Sequence, residues 1–175
     1  IAQLARAPPL QGGCRGFKSL WAHVTNPTLA QLAKIIEKRY PKSLASDWDS
    51  VGLIFGKQKN IISKILLTVD ITQEVVNEAL ENKFDLIISH HPLILEPEEV
   101  EDVRKYKEKI KDLMNENKVS LYVAHTNADA ADGGVNDSFI KLFNVKNVRT
   151  FGPQNIGRCG EFEKTEKIED IIKKL

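Results

Sequence analysis

From residue 64 onward, short apolar runs alternate with longer amphipathic segments, and this order constrains the fold more than any other feature of the sequence. Residues 64–69, 85–89 and 119–124 are rich in Ile, Leu and Val and are typical of strands. The segments between them, including residues 98–118, repeat apolar residues at helical spacing. Strands that alternate with helices indicate parallel pairing through right-handed crossovers. We therefore predict an α/β fold, a layered domain with a mainly parallel sheet flanked by helices.

The remaining parts of the chain add elements at both ends of this core. The pattern predicts a helix over 28–40, a strand over 51–55, a helix over 137–143, and a strand with a short helix over 156–175. Asn26 and Pro27 suit the N-cap and the first position of the first helix. Prolines and glycines interrupt residues 1–26, which predicts a flexible extension before one α/β metal-binding domain over residues 27–175.

Charge and cysteine content exclude several classes of function. The 25 Lys and Arg residues nearly balance the 24 Asp and Glu residues, so a net charge of +1 provides no field that attracts nucleic acid. Cys14 and Cys159 are far apart and lack metal-ligand spacing, which indicates reduced thiols in the cytoplasm. No apolar run approaches the roughly 20 residues that cross a bilayer, so we expect no membrane insertion. The absence of acidic residues before Glu37 leaves organelle targeting as an alternative.

Polar residues with metal-binding chemistry follow each of the three predicted parallel strands. Asp70 follows the first strand, His90 and His91 follow the second, and His125 and Asp129 follow the third. In open parallel sheets, ligands bind beyond the carboxyl ends of the strands. Imidazole and carboxylate groups together suit zinc, iron, manganese or nickel, and two adjacent histidines can each serve a different ion. The sequence therefore predicts a two-metal site at this edge of the sheet.

A structural explanation of the same residues stays open. His90 and His91 can cap a strand and form hydrogen bonds with the backbone, while Asp129 stabilises the turn at Gly133 and Gly134. The sequence alone does not decide between these two explanations.

Three segments resemble the signature regions of a known family. They are SDWDSVGLIFG (46–56), DLIISHHPLI (85–94) and AHTNADAADGGVND (124–137). Together they are similar to the GTP cyclohydrolase type 2-like family, also called YbgI-like or Nif-three-like, and they occur in the family order. The resemblance covers about residues 28–160 and includes the predicted order of strands and helices.

The resemblance implies a dinuclear metal centre that holds two divalent ions, namely zinc, iron, manganese or nickel. Its metal ligands fall on His90, His91 and Asp129, whereas His125 is expected to support a ligand or to face the substrate. Trp48 and Asp49 match the third motif, but a packed indole and a turn carboxylate explain them equally well.

The chain also departs from the family pattern. Family members supply a further His and Glu pair, spaced three apart, from near the C-terminus, whereas residues 138–175 contain no histidine. The resemblance therefore implies that the chain corresponds to the N-terminal part of the family architecture. The missing ligands then belong to a longer chain, come from water or another subunit, or are absent from a weaker site.

Two functions are consistent with these features. The first is a dinuclear-metal hydrolase-like protein, a GTP cyclohydrolase 1 type 2 homolog, that activates water for attack on a nucleotide or phosphoester. The alternative is a non-catalytic metal-binding regulatory or scaffold protein, which the missing ligands and the lack of an assignable general acid favour. The resemblance further implies a homo-oligomer with a small-molecule substrate.

Overall fold

A computed structural model describes residues 26–94 and 100–174. The extension predicted over residues 1–26 lies outside this range except for Asn26, as do the first two residues of the helix predicted over 98–118. The helices are α1 (Leu29–Arg39), α2 (Gln73–Glu81), α3 (Glu101–Glu116), α4 (Thr126–Ala130), α5 (Val135–Ile140) and α6 (Ile168–Ile172). The strands are β1 (Gly52–Phe55), β2 (Ile65–Thr68), β3 (Leu86–Ser89), β4 (Ser120–Val123), β5 (Val145–Phe151) and β6 (Gly157–Phe162). None of the helices in the described ranges has both the length and the apolar character needed to cross a membrane.

Four strands form the central sheet, in the order β1-β4-β3-β2. Strands β2, β3 and β4 are parallel to one another, whereas β1 pairs antiparallel with β4 at the edge. The prediction of an α/β fold with a mainly parallel sheet is confirmed. Because β1 runs in the opposite direction, the residues that precede it lie at the edge where the parallel strands end.

Helices pack against both faces of the sheet at its centre, and the alternation of side chains along β4 shows how. Leu121 and Val123 pack on one side with α2 and α3, through residues such as Val76 and Ile110. Tyr122 points to the other side and packs with Leu29 of α1 and with α4. All positions of β4 are buried, as expected for a central strand covered on both faces.

The first helix begins at Leu29, one residue later than predicted. Thr28 is its N-cap: the Thr28 hydroxyl accepts a hydrogen bond from the Gln31 amide, and the Gln31 side chain accepts one from the Thr28 amide. This reciprocal capping box satisfies two amides that helix formation leaves free. The prediction that Asn26 caps the helix was wrong, and the Asn26 side chain instead donates to Ser63.

Two elements were not predicted from the sequence. Helix α4 has five residues, which is too short for a recognisable helical period. Strand β5 is exposed at six of its seven positions and so lacks the alternating apolar pattern of a half-buried strand. It pairs antiparallel with β6 in a separate two-stranded sheet.

A buried arginine joins this two-stranded sheet to the helices beside the central four-stranded sheet. The Arg158 side chain on β6 is 3% exposed and forms an ion pair with Asp137 of α5. Its guanidinium also donates to the carbonyl oxygens of Ala130 and Ala131, at 2.9 and 3.3 Å. The hydrogen bond from Arg158 lowers the pKa of Asp137, as does a second one from the Gly133 amide.

Replacing Arg158 should therefore destabilise the protein. We expect Arg158→Ala to lower the free energy of unfolding by about 3 kcal/mol, because it leaves a carboxylate and several carbonyl oxygens without a donor. Arg149→Ala is the matched control, since Arg149 is an exposed arginine on the neighbouring strand and should change stability by less than about 0.5 kcal/mol. Urea unfolding of both variants measures the difference, and equal stability would contradict the role of Arg158.

The same ion pair should make stability depend on pH in the acid range. Because folding lowers the pKa of Asp137, the unfolded chain takes up the proton first as the pH falls. The stabilisation is complete above the ordinary pKa of 3.8 and is lost as the pH falls through the lower value of the folded protein. Unfolding measured between neutral pH and pH 2 should show a smaller acid loss in Arg158→Ala than in the wild type. Identical pH profiles would exclude this linkage.

Candidate metal centre

The sheet brings the predicted site residues together because its parallel strands are in register at their carboxyl ends. Thr68 lies opposite Ser89, and Ser89 lies opposite Val123. The hydrogen-bonded ladder continues past these ends, since the His90 amide donates to the Thr68 carbonyl at 3.0 Å. The first residues beyond the strands are therefore held side by side by backbone hydrogen bonds.

Three imidazoles meet at this edge. The ring centroids of His90, His91 and His125 are 5.0 to 5.4 Å apart. One ring nitrogen from each histidine can serve as a metal ligand, and these three nitrogens lie within 4.8 Å of one another. The structure thus groups His125 with the two histidines predicted as ligands, although the family resemblance implied a supporting or substrate-facing role for it.

Each imidazole is oriented through its Nδ1 atom. The partners of this atom are Ala124 O for His90 at 3.1 Å, Asp70 Oδ1 for His91 at 2.7 Å, and Asp49 Oδ1 for His125 at 3.0 Å. A carbonyl or carboxylate oxygen only accepts, so Nδ1 carries the proton in each neutral ring. Nε2 is then left with a free lone pair. Metal-binding histidines in proteins almost always show this arrangement.

Asp129 adds a carboxylate to the cluster from the end of the first turn of α4. Its Oδ2 lies 3.7 Å from Nε2 of His90, and its side chain accepts no hydrogen bond from any residue in the described ranges. Burial raises the pKa of Asp129, and the nearby His90 and His125 offset only part of this effect. A partly buried carboxylate without a donor beside three imidazoles is suited to a cation.

The structural alternative for Asp129 does not agree with the geometry. It assigned Asp129 to the turn at Gly133 and Gly134, but the Gly133 amide donates to Asp137 instead. The carboxylate that stabilises this turn therefore belongs to α5, and Asp129 faces the histidines.

Asp49 is a residue of the site that sequence reasoning did not select. Its side chain has no exposed surface. It accepts hydrogen bonds from the Thr126 amide and hydroxyl, and it also contacts the His125 ring. Burial raises the pKa of Asp49, but the hydrogen bonds from Thr126 and His125 outweigh burial and leave the pKa below its ordinary value. Asp49 is thus an ionised, buried carboxylate that orients His125 and anchors the start of α4.

A buried asparagine also fixes the position of His125. Asn127 has no exposed surface, and its side-chain oxygen accepts from the His125 amide at 3.0 Å. Its side-chain nitrogen donates to the Tyr40 carbonyl at the end of α1, at 2.8 Å. The Ala-rich sequence around Asn127 gave no sign of this role, because the contact depends on the packing of α1 against α4.

Trp48 is exposed rather than packed. Its relative exposure is 59%, and its ring meets the His125 ring edge-on, with 6.0 Å between centroids. The explanation of this residue as a packed indole was therefore wrong. Its position places a large aromatic surface at the margin of the histidine cluster.

Comparison with known proteins identifies the family. Residues 27–175 match the family model described as Duf34/NIF3 (NGG1p interacting factor 3). The chain belongs to the Duf34/NIF3 family. A GTP cyclohydrolase 1 type 2 homolog of Listeria monocytogenes is 40% identical over 114 residues, which cover 65% of this chain and 30% of the relative. NIF3-like protein 1 of Drosophila melanogaster is 40% identical over 127 residues, covering 72% of this chain and 44% of the relative.

Solved structures of the Duf34/NIF3 type share this fold. The reduced form of HcgD from Methanocaldococcus jannaschii superposes with a TM-score of 0.77 at 29% identity, covering 87% of this chain and 60% of that protein. A Bacillus cereus protein related to NIF3 gives a TM-score of 0.65 at 35% identity, covering 74% of this chain and 36% of that protein. The matched part of this Duf34/NIF3 chain spans less than half the length of the Listeria and Drosophila relatives.

The orienting carboxylates of this Duf34/NIF3 chain should control how tightly a metal binds. Asp70 is exposed and its carboxylate contacts His91, so we expect Asp70→Ala to weaken zinc binding by about tenfold without loss of folding. Asp47→Ala is the matched control, because Asp47 is an exposed aspartate near the site without a hydrogen bond to a described residue. Competition with a chromogenic chelator measures both affinities. Equal affinities in the two variants would show that the contact between Asp70 and His91 has no effect on binding.

Proposed function

We propose that this chain is a metal-dependent hydrolase-like protein whose His90, His91 and Asp129 bind metal in a dinuclear centre. The cluster of three imidazoles carries this proposal, because each ring is tied at Nδ1 and one nitrogen of each ring lies within 4.8 Å of the others. His125 has the same arrangement as the two histidines predicted as ligands, and we include it as a further ligand.

The chemistry of this donor set fits a divalent transition metal. Neutral imidazoles with one carboxylate suit zinc, iron, manganese or nickel, whereas calcium and magnesium prefer a shell of oxygen atoms. A second ion needs more ligands than these four residues supply, and residues 138–175 contain no histidine. We propose that additional protein, from a longer chain or from another copy in a homo-oligomer, completes the second position.

The protein groups have distinct tasks in such a centre. His90, His91 and His125 supply neutral nitrogen ligands, and Asp49 and Asp70 hold two of these rings in place. Asp129 supplies negative charge next to His90. Divalent cations held by these residues would lower the pKa of a bound water toward neutrality and would stabilise charge on the attacked group. Hydrolysis of a small-molecule nucleotide or phosphoester is the reaction class that this arrangement favours.

The names of relatives support this direction without fixing the substrate. Several relatives are called GTP cyclohydrolase 1 type 2 homolog, including the proteins of Listeria monocytogenes and Streptomyces coelicolor. The Streptomyces protein is 34% identical over 127 residues, which cover 45% of that relative's length. We propose a reaction on a nucleotide by analogy with these names, in a cytoplasmic setting that the two isolated cysteines favour.

A second function is a metal-binding regulatory or scaffold protein without turnover. The incomplete ligand set favours it, because three histidines and one aspartate would match the four protein ligands of structural zinc sites, whereas catalytic sites have three. In addition, no side chain near the cluster is assignable as a general acid among the described residues. Metal binding is common to both functions, and turnover separates them.

Metal content tests the part that both functions share. We expect the purified wild type to hold at least one equivalent of a divalent transition metal after dialysis. A His90→Ala, His91→Ala, Asp129→Ala triple variant should lose it, since three of the four proposed ligands are removed. Elemental analysis by mass spectrometry measures the content, and a His23→Ala variant is the control for the remaining histidine. Equal trace metal in the wild type and the triple variant would refute the proposal.

Turnover by the metal-loaded wild type distinguishes the two functions. If the protein is a hydrolase, it should release product from GTP, from other nucleotides or from a chromogenic phosphodiester. The triple variant should lose this activity. Stoichiometric metal without turnover on any of these compounds would favour the regulatory or scaffold function instead.

A further inference from the structure

A groove lies beside the histidine cluster and has a volume of about 350 Å³. Its lining is mostly apolar and is formed by Trp48, Ser50, Ile54, Pro92, Leu93, Ile94 and Lys111. This volume is at the lower end of the range of roughly 300 to 1,000 Å³ for sites that bind small molecules. The groove therefore has room for a compact ligand.

Two of its residues connect the groove directly to the cluster. The Trp48 ring meets the His125 ring edge-on, and Trp48 is also one of the residues that line the groove. Pro92 follows His91 in the chain and restricts the backbone of that histidine to extended geometry. A ligand in the groove is thus next to the atoms that would bind metal.

We propose that this groove binds the planar ring of an anionic heteroaromatic ligand of mononucleotide size, with Trp48 as the stacking surface and Lys111 as the contact for the anionic group. The inference rests on the proposed function, because it assigns the substrate-recognition side of the same site. It goes beyond that function in naming the groove and the two residues that recognise the ring and the anionic group.

The exposure of Trp48 supports a stacking role. Trp48 is 59% exposed, whereas the side chain of the next residue, Asp49, is buried. An aromatic surface at the margin of a site stabilises a flat heterocycle by stacking, and this interaction accepts any base. Ile54, Leu93 and Ile94 supply apolar contacts around the same space.

Lys111 gives the groove its charge preference. It lies on α3, across from the loop that carries Trp48, and it is the charged residue among those that line the groove. It is exposed and makes no ion pair with a residue in the described ranges. A lysine in this position favours a phosphate or carboxylate group over a neutral or cationic one. Stacking and charge together select a ring that carries an anion.

The test measures binding of AMP and GMP to the full chain by isothermal titration calorimetry, in chelator and again with added zinc. Ribose 5-phosphate lacks the heteroaromatic base, and adenosine lacks the phosphate, so each compound tests one half of the recognition. We expect Trp48→Ala to weaken mononucleotide binding about tenfold, and Trp48→Phe to retain it. Lys111→Gln should weaken binding at low salt and remove part of its salt dependence. Lys109→Gln on the same helix is the control and should leave binding unchanged.

The outcomes separate this inference from the proposed function. Tighter binding of AMP or GMP than of both fragments, lost with Trp48→Ala and kept with Trp48→Phe, supports the inference. It is overturned if neither mononucleotide binds, if ribose 5-phosphate binds as tightly, or if Trp48→Ala has no effect. Metal content of the wild type and the triple variant decides the metal centre independently of any of these results.

Discussion

The in-register pairing of three parallel strands is the constraint on which the site depends. Because β2, β3 and β4 end together, the residues that follow them emerge at one edge, and backbone hydrogen bonds carry the ladder into the loops. The histidines therefore follow strands that are joined to one another by continuous backbone hydrogen bonds. Sites built on strand ends are positioned more accurately than sites on free loops, which suits ligands that must converge within a few ångströms.

Three carboxylates around the cluster have different environments and so different tasks. The side chain of Asp49 is buried, and its hydrogen bonds keep its pKa below the ordinary value, so it serves as a fixed negative partner for His125. Asp70 is exposed and orients His91 from the solvent side. Asp129 has no donor among the described residues and its pKa is raised by burial, which identifies it as the carboxylate that a cation would stabilise most.

Much of the fold and part of the site could be predicted from the sequence, for physical reasons that also explain the omissions. Strands β3 and β4 are buried and leave continuous apolar runs, so the sheet and the strand-end position of His90 and His91 followed from the pattern. Asp49 could not be found in this way, because it precedes an antiparallel strand and reaches the site from that strand's beginning. Helix α4 and strand β5 escaped because short or exposed elements have no apolar period.

X-ray absorption spectroscopy of the zinc-loaded protein tests the central claim most directly, because it reports the atoms around the ion without requiring activity. If the histidines share a cation, the spectrum should show nitrogen ligands at about 2.0 to 2.1 Å with the outer-shell scattering of at least two imidazole rings. His90→Ala should reduce that imidazole scattering. A spectrum with oxygen ligands alone, unchanged by His90→Ala, would show that the cluster is not a metal site.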